Sequence, residues 1–273
     1  MKIISTPLEL REYLKNEKKS IGFVPTMGAL HEGHISLIRR ARAQNEIVVV
    51  SIFLNPTQFL KGEDLESYPS REEADTKICK LANVDVLFLP SVDDMYGDDE
   101  VSINAPKVRG FVLEGATRPG HFNGVLTVVM KLLNIVSPTR AYFGKKDAQQ
   151  LNLITLMVKQ LFMPVEIIPG ETIRDSDGLA KSSRNAYLTP TQRVEALKIS
   201  KSLHEASKLV STKVFHVEQI KQKMRECLEP LEVAYVEILN RDFIAIEEIE
   251  IGNSIILVEA IVGETRLLDN IWL

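Results

Sequence analysis

Two histidines, His31 and His34, lie in the run Pro25-Thr26-Met27-Gly28-Ala29-Leu30-His31-Glu32-Gly33-His34. The run follows an apolar segment, Ile21-Gly22-Phe23-Val24, and precedes an amphipathic one, Ile35-Ser36-Leu37-Ile38-Arg39-Arg40-Ala41. That context predicts a strand, a turn and a helix. A glycine in the turn lets the backbone come close to a ligand, and the amides of a helix start attract anions. Imidazoles at i and i+3 there present ring N–H donors to one face. Such a pair suits a phosphate chain that gains negative charge during reaction. An isolated histidine is ordinarily a surface or core residue, and zinc is the sharper competitor. The spacing argues against zinc, because the His-Glu-x-x-His helix sets its ligands at i and i+4 and Gly33 weakens a helix here.

Four further segments place polar residues where strands should end. Asn55-Pro56-Thr57-Gln58-Phe59 follows an apolar run and aims Asn55 and Gln58 into the crevice above a sheet. Glu114-Gly115-Ala116-Thr117-Arg118-Pro119-Gly120-His121-Phe122 sets a cation and a histidine in a glycine-flanked loop. Gly144-Lys145-Lys146-Asp147-Ala148-Gln149-Gln150 runs from strand to helix start. Cations there oppose the positive helix end, so an anionic ligand explains them better than helix stabilisation does. Lys181-Ser182-Ser183-Arg184-Asn185 is a polar turn of a kind that is usually only solvated.

The elements that must position these residues alternate along the chain. Thr6-Pro7-Leu8-Glu9 reads as an N-cap with Glu9 as capping-box partner. Ile47 to Leu54 and Val84 to Leu89 are β-branched runs of the kind buried on both faces of a parallel sheet. Helices are expected from Ser70 to Leu81, from Val125 to Val136 and from Asp147 to Phe162, with strands at Ala141–Phe143 and Val165–Ile168. This alternation predicts an α/β fold, a Rossmann-like doubly wound parallel sheet with ligands at the carboxyl ends of its strands. The pattern changes near Asp175. Helices at Pro190–Val210 and Val217–Leu228, then strands at Ala234–Ile238 and Ser254–Ala260, predict a smaller α+β domain with an antiparallel sheet. The expected division is 1–175 for the ligand-binding domain and 176–273 for a C-terminal lid hinged near Asp175.

Bulk properties agree. The chain has 273 residues, 45% hydrophobic and 26% charged, as expected of a globular protein with a substantial core. A net charge of −4 carries no nucleic-acid signature, so anion binding must come from local positive groups. The two cysteines, Cys79 and Cys227, lie far apart in helical patterns, which points to a reducing cytoplasm. No segment reads as a signal peptide or a membrane span, so neither a membrane nor a nucleic acid is an expected partner.

Taken in order, Pro-Thr-Met-Gly-x-Leu-His-x-Gly-His, Asn-Pro-x-Gln-Phe, Glu-Gly-x-x-Arg-Pro-Gly-His-Phe, Gly-x-Lys-Asp-x-Gln-Gln and Ser-Ser-Arg-Asn resemble the pantothenate synthetase (pantoate–β-alanine ligase) family. The motifs span residues 25 to 185. Within the wider nucleotidylyl transferase superfamily, His31 and His34 resemble the first signature motif. The turn at Lys181–Arg184 departs from the usual wording of the lysine-serine loop, and Lys145 stands at a variable family position. The resemblance implies that ATP activates (R)-pantoate as an acyl adenylate, with release of pyrophosphate, and that β-alanine then displaces AMP. It assigns His34, His31, Lys146 and Arg184 to catalysis, with Mg2+ bridging phosphates. It surrounds ATP with Met27, Gly28, Ala29, Leu30, His31, Glu32, Gly33, His34, Gly144, Lys145, Lys146, Asp147, Ile173, Lys181, Ser182, Ser183 and Arg184. Pantoate falls to Gln58 and Gln150, β-alanine to Gln58, Arg118 and His121, and the neighbourhood of magnesium to Asp75. A homodimer is also implied. Another adenylyltransferase of the superfamily would share the two histidines but not both glutamine segments.

Overall fold

Runs of Val and Ile dominate the strands, and these strands are covered on both faces. A computed structural model describes residues 1–273. The chain begins with β1 (Lys2–Ile4) and α1 (Pro7–Leu14), followed by β2 (Ile21–Thr26), α2 (Glu32–Gln44) and β3 (Ile47–Ile52). It continues with α3 (Glu72–Leu81), β4 (Val86–Phe88) and two single turns, α4 (Val92–Met95) and α5 (Glu114–Thr117). Then come α6 (His121–Val136), β5 (Arg140–Gly144), α7 (Ala148–Gln160) and β6 (Glu166–Gly170). The remainder is α8 (Pro190–Ser211), α9 (Val217–Leu228), β7 (Glu232–Asn240), β8 (Ser254–Val262) and β9 (Thr265–Trp272).

Six strands form one sheet in the order β1-β4-β3-β2-β5-β6, and every pairing is parallel. After β2 the chain turns one way to β3 and β4, and later returns on the other side through β5 and β6. The order therefore reverses between β2 and β5, and open α/β sheets bind ligands at the carboxyl ends of strands at such a switch point. The expected doubly wound sheet is what forms. One face carries Leu37, Ile38 and Ala41 of α2 with Cys79 of α3, packed on Val24, Val48, Val50 and Leu87. Helix α6 is buried nearly all round, and a helix that is apolar on every side belongs inside a protein. It begins four residues ahead of the periodic stretch read from the sequence, because the polar His121 and Asn123 precede the apolar run. The capping box expected at α1 is only half made. Thr6 accepts from the Glu9 amide at 3.3 Å, while the Glu9 carboxylate pairs with Lys2 at 3.1 Å.

The chain divides into two units, Met1–Lys145 with Leu153–Glu171, and Lys146–Asn152 with Thr172–Leu273. In the second, β7-β8-β9 is an antiparallel sheet. Ile199, Leu203 and Ala206 of α8 and Ile220 and Met224 of α9 pack with Val236, Ile256 and Val258 of the sheet. The start of α7 belongs to this unit. Asn270 donates to the Lys146 carbonyl at 2.6 Å and Asn152 to the Arg241 carbonyl at 2.9 Å. No helix is long and apolar enough to cross a membrane.

Candidate active site

Pairing of β2 with β3 sets Thr26 opposite Ile52, so the histidine turn and the Asn55–Gln58 turn leave the sheet side by side. The Thr26 hydroxyl donates to the Ser51 carbonyl at 2.8 Å and accepts from the Gly28 amide at 3.2 Å. Gly28 and Ala29 then take φ values of 90° and 50°. A left-handed alanine is uncommon and needs support, and Asp75 of α3 supplies it. Its two carboxylate oxygens accept from the Ala29 and Leu30 amides, each at 2.8 Å, at 1% exposure. Both oxygens of Asp75, expected in the neighbourhood of magnesium, thus hold the turn. Beneath, burial and then the charge of Asp75 push the Cys79 thiol up to about 12, which keeps it protonated and inert.

The histidines cap α2 reciprocally. His31 Nδ1 accepts from the Gly33 amide at 3.1 Å, and His34 Nδ1 accepts from the His31 amide at 3.4 Å. A ring nitrogen that accepts carries no proton, so a neutral ring in either position holds its hydrogen on Nε2. The two ring centroids are 4.1 Å apart. The helix start thus fixes two imidazoles in one tautomer, close together.

Gln58 ends a single 3-10 turn, Pro56–Gln58, that Asn55 caps. Its side chain is 8% exposed. The amide oxygen accepts from Asn55 Nδ2 at 3.1 Å, and Nε2 lies 3.0 Å from the thioether sulfur of Met27. Sulfur is a weak acceptor, so the Gln58 N–H groups are set beside the histidine turn with only a weak partner there. Asn55 also donates to the Gly124 carbonyl and accepts from the Tyr96 hydroxyl at 2.7 Å.

Arg118 and His121 meet the same turn from behind. Arg118 forms a fork with Glu63, Nε to Oε1 at 2.6 Å and Nη2 to Oε2 at 2.5 Å. Its other contacts are His121 Nε2 at 3.0 Å and the Gln58 carbonyl at 3.3 Å. Burial raises the Glu63 carboxyl, but the hydrogen bonds from Arg118 and the Leu60 amide and the Arg118 charge outweigh it and hold Glu63 below its ordinary value. Arg118 and His121, expected at the β-alanine carboxylate, are thus brought together beneath Gln58. Arg118 is 7% exposed, and its guanidinium is matched by a carboxylate of the chain itself. Glu63 was not read from the sequence, where it is one acid among several in a polar loop. Only its contact with Arg118, 55 positions away, marks it.

The remaining candidates are placed as follows. Gly144 ends β5, and Lys145, which follows it, pairs with Glu171 at 2.5 Å. In the second unit, Lys146 lies 3.3 Å from the Asp147 carboxylate, and Gln150 sits in the first turn of α7. The Ile173 carbonyl accepts from the Lys181 amide at 2.9 Å. The Lys181 ammonium pairs with Asp175 at 2.5 Å. Hydrogen bonds from Lys181 and then Arg193 hold the Asp175 carboxyl below its usual value. Ser182 caps the 3-10 turn Ser183–Tyr187, its hydroxyl accepting from the Arg184 amide at 3.3 Å.

Comparison with known proteins agrees with this fold. The Pantoate-beta-alanine ligase family matches residues 2–272. A pantothenate synthetase of Sulfurimonas denitrificans is 70% identical over 273 residues, the whole of both chains. A crystal structure of pantothenate synthetase from Thermus thermophilus superposes with a TM-score of 0.95 at 39% identity, covering 99% of each chain. That of the pantoate-beta-alanine ligase from Francisella tularensis, complexed with beta-gamma ATP and beta-alanine, gives 0.84 at 37% identity, covering 100% of this chain and 97% of that one. With a parallel sheet whose switch point carries the paired histidines and Gln58, and with these likenesses along its full length, the chain belongs to the pantoate–β-alanine ligase family.

Proposed function

We propose that this ligase joins (R)-pantoate to β-alanine through a pantoyl adenylate, and that the histidine turn and Gln58 carry the first step. A carboxylate does not condense with an amine at neutral pH until an oxygen is made a leaving group. A pantoate carboxylate oxygen forms a bond to the α-phosphorus of ATP while the bond to the β-phosphate oxygen breaks, and pyrophosphate departs. The β-alanine nitrogen, deprotonated, then bonds to the acyl carbon. The carbon–oxygen bond to AMP breaks, and the ammonium proton is lost. The first step brings an anion to a polyanion, so donors must be placed in advance where charge collects.

The observation that carries this reading is the reciprocal cap of His31 and His34, which holds both Nε2–H groups in one tautomer 4.1 Å apart by ring centroid. Such donors act on phosphate oxygens without having to reorganise during reaction. Gln58 Nε2, weakly held by Met27, donates to pantoate, and Gln150 is its second partner in this proposal. Lys146 and Arg184 neutralise phosphate charge. Met27–His34, Gly144–Asp147, Ile173 and Lys181–Arg184 contact ATP, Lys181 and Ser182 through their backbone. The relative from Francisella tularensis, complexed with beta-gamma ATP and beta-alanine, supports ATP and β-alanine as substrates of this chain. Gln58 is also proposed to meet β-alanine.

Magnesium belongs to the proposal only as an ion carried by the phosphates, which need few protein ligands; Asp75 does not fit as one of them. A cytoplasmic site of action is supported by the unpaired Cys79 and Cys227. A homodimer rests on the family resemblance alone. The decisive measurement is exchange of labelled pyrophosphate into ATP. Exchange should require pantoate, proceed without β-alanine, and fail with nicotinate- or phosphopantetheine-type acceptors. Exchange driven equally by those acceptors would replace this reading with a different adenylyltransferase.

A further inference from the structure

Gln58 is held from two sides, and the side away from the histidines is the more heavily built. Its backbone carbonyl accepts from His121 Nδ1 at 2.7 Å and from Arg118 Nη2 at 3.3 Å. A carbonyl only accepts, so His121 carries its proton on Nδ1. A guanidinium only donates, so the Arg118 Nη1 contact at 3.0 Å makes His121 Nε2 the acceptor. The two deductions agree on one arrangement, with the proton on Nδ1 toward the carbonyl and the Nε2 lone pair toward the guanidinium. Arg118, Gln58 and His121 are all at least nine-tenths buried. The group that makes a buried guanidinium tolerable is the Glu63 carboxylate, bound to it in a two-point fork. Glu63 is itself fixed by its own turn, with Oε2 accepting from the Leu60 amide at 3.0 Å.

Helix α6 closes the arrangement. A Cβ on Gly124 would lie 2.3 Å from the Thr57 carbonyl oxygen and 2.7 Å from the Gln58 amide nitrogen. The helix therefore lies flush against the turn, and the turn has nowhere to retreat. The orientation of Gln58 is set through Glu63, Arg118 and His121 in sequence, each bonded to the next.

We propose that Glu63 is a positioning residue for pantoate: by matching Arg118 it holds His121 and the Gln58 carbonyl so that the Gln58 amide meets the acid substrate. The proposal rests on the reading that Gln58 binds pantoate. Glu63 touches no substrate. Its loss frees the guanidinium to swing toward another carboxylate and loosens the turn, while the histidine turn, clasped by Asp75, stays in place.

The test is a double-mutant cycle read in pyrophosphate exchange, which needs no β-alanine. Glu63→Gln keeps the shape and removes the charge. It should raise the KM for pantoate roughly five- to tenfold, the scale of one ordinary hydrogen bond lost, and leave the KM for ATP within about twofold. In a Gln58→Ala background the same substitution should add less than about twofold, because the side chain it positions is gone. A full Glu63 effect in that background, or an equal rise for ATP, overturns the proposal. So does an unchanged pantoate KM in Glu63→Gln when Gln58→Ala alone raises it. If Gln58→Ala itself leaves pantoate unaffected, the pantoate reading of Gln58 fails, and the positioning role falls with it. Should Glu63→Gln not fold, Arg118→Lys serves instead. A point charge cannot bond Glu63 twice and still reach His121 and the Gln58 carbonyl. Arg118→Lys must then show the same selective rise, and its absence counts against the proposal.

Discussion

An imidazole whose Nδ1 accepts a backbone N–H holds its proton on Nε2, and His31 and His34 both meet that condition. Removing His34 has two consequences of different size. Loss of a cap costs about 0.5–2 kcal/mol, which a fold stable by roughly 5–15 kcal/mol survives. Loss of a donor aimed at the transition-state phosphate slows the reaction by about a hundredfold or more. His34→Ala should therefore remain folded by circular dichroism and lose pantoate-dependent exchange on that scale; exchange within a few-fold of the unsubstituted protein would remove His34 from the chemistry. Asp75 gives a second prediction. Asp75→Asn replaces one acceptor of the Ala29 and Leu30 amides with a donor and leaves a buried N–H unmatched, at a cost of about 1–3 kcal/mol. Urea denaturation should show that loss, and added magnesium should not restore the exchange rate. Recovery at high magnesium would return Asp75 to the metal.

Between residue and domain stands the contact of α6 with the Pro56–Gln58 turn. The α6 backbone can touch the turn only because position 124 has no side chain. Gly124→Ala drives a methyl into backbone atoms, which cannot rotate away as a side-chain tip could, so the helix or the turn must shift. Overpacking of this kind costs on the order of 1–3 kcal/mol. The displaced turn carries Gln58, so the KM for pantoate should rise more than that for ATP. An equal rise for both would show that the strain spreads through the sheet instead. The same element explains why the Arg118–His121 loop reads ambiguously from its composition. The loop looks solvated, yet it docks beneath the turn because α6 begins at His121 and draws both side chains into the core.

For the molecule as a whole, acid tests the ion pairs. Glu63 and Asp175, one in each unit, are both held below their ordinary values by cationic partners. A carboxyl depressed in the folded state contributes stability that is complete above its unfolded pKa, about 4, and is lost as pH falls through the lower folded value. Stability to urea should therefore be level down to about pH 5 and decline below about pH 4. Glu63→Gln should start lower and decline less steeply, having no carboxyl to protonate there. Parallel curves for the two proteins would show that Glu63 is not linked to folding.

Local order was the part that residues alone could specify. The β-branched run of β3, the apolar length of α6, the strand–turn–helix context of His31 and His34 and the helices of the second unit each follow from periodicity and capping within one short stretch, where neighbours in sequence are neighbours in space. Even there, β1 and β9 escaped notice. β1 is a three-residue edge strand with only Ile4 buried, and β9 is joined to β8 by the Gly263-Glu264 turn, a hairpin signal of only two residues. Tertiary structure decided which polar groups serve each other. Asp75 reaches residues 45 and 46 positions back, and Glu63 reaches Arg118 across 55. A carboxylate aimed at a phosphate neighbourhood and one aimed at a backbone amide are the same letter in the same kind of helix. They are told apart only when the parallel sheet fixes which strand ends adjoin and burial forces every polar atom to find a partner.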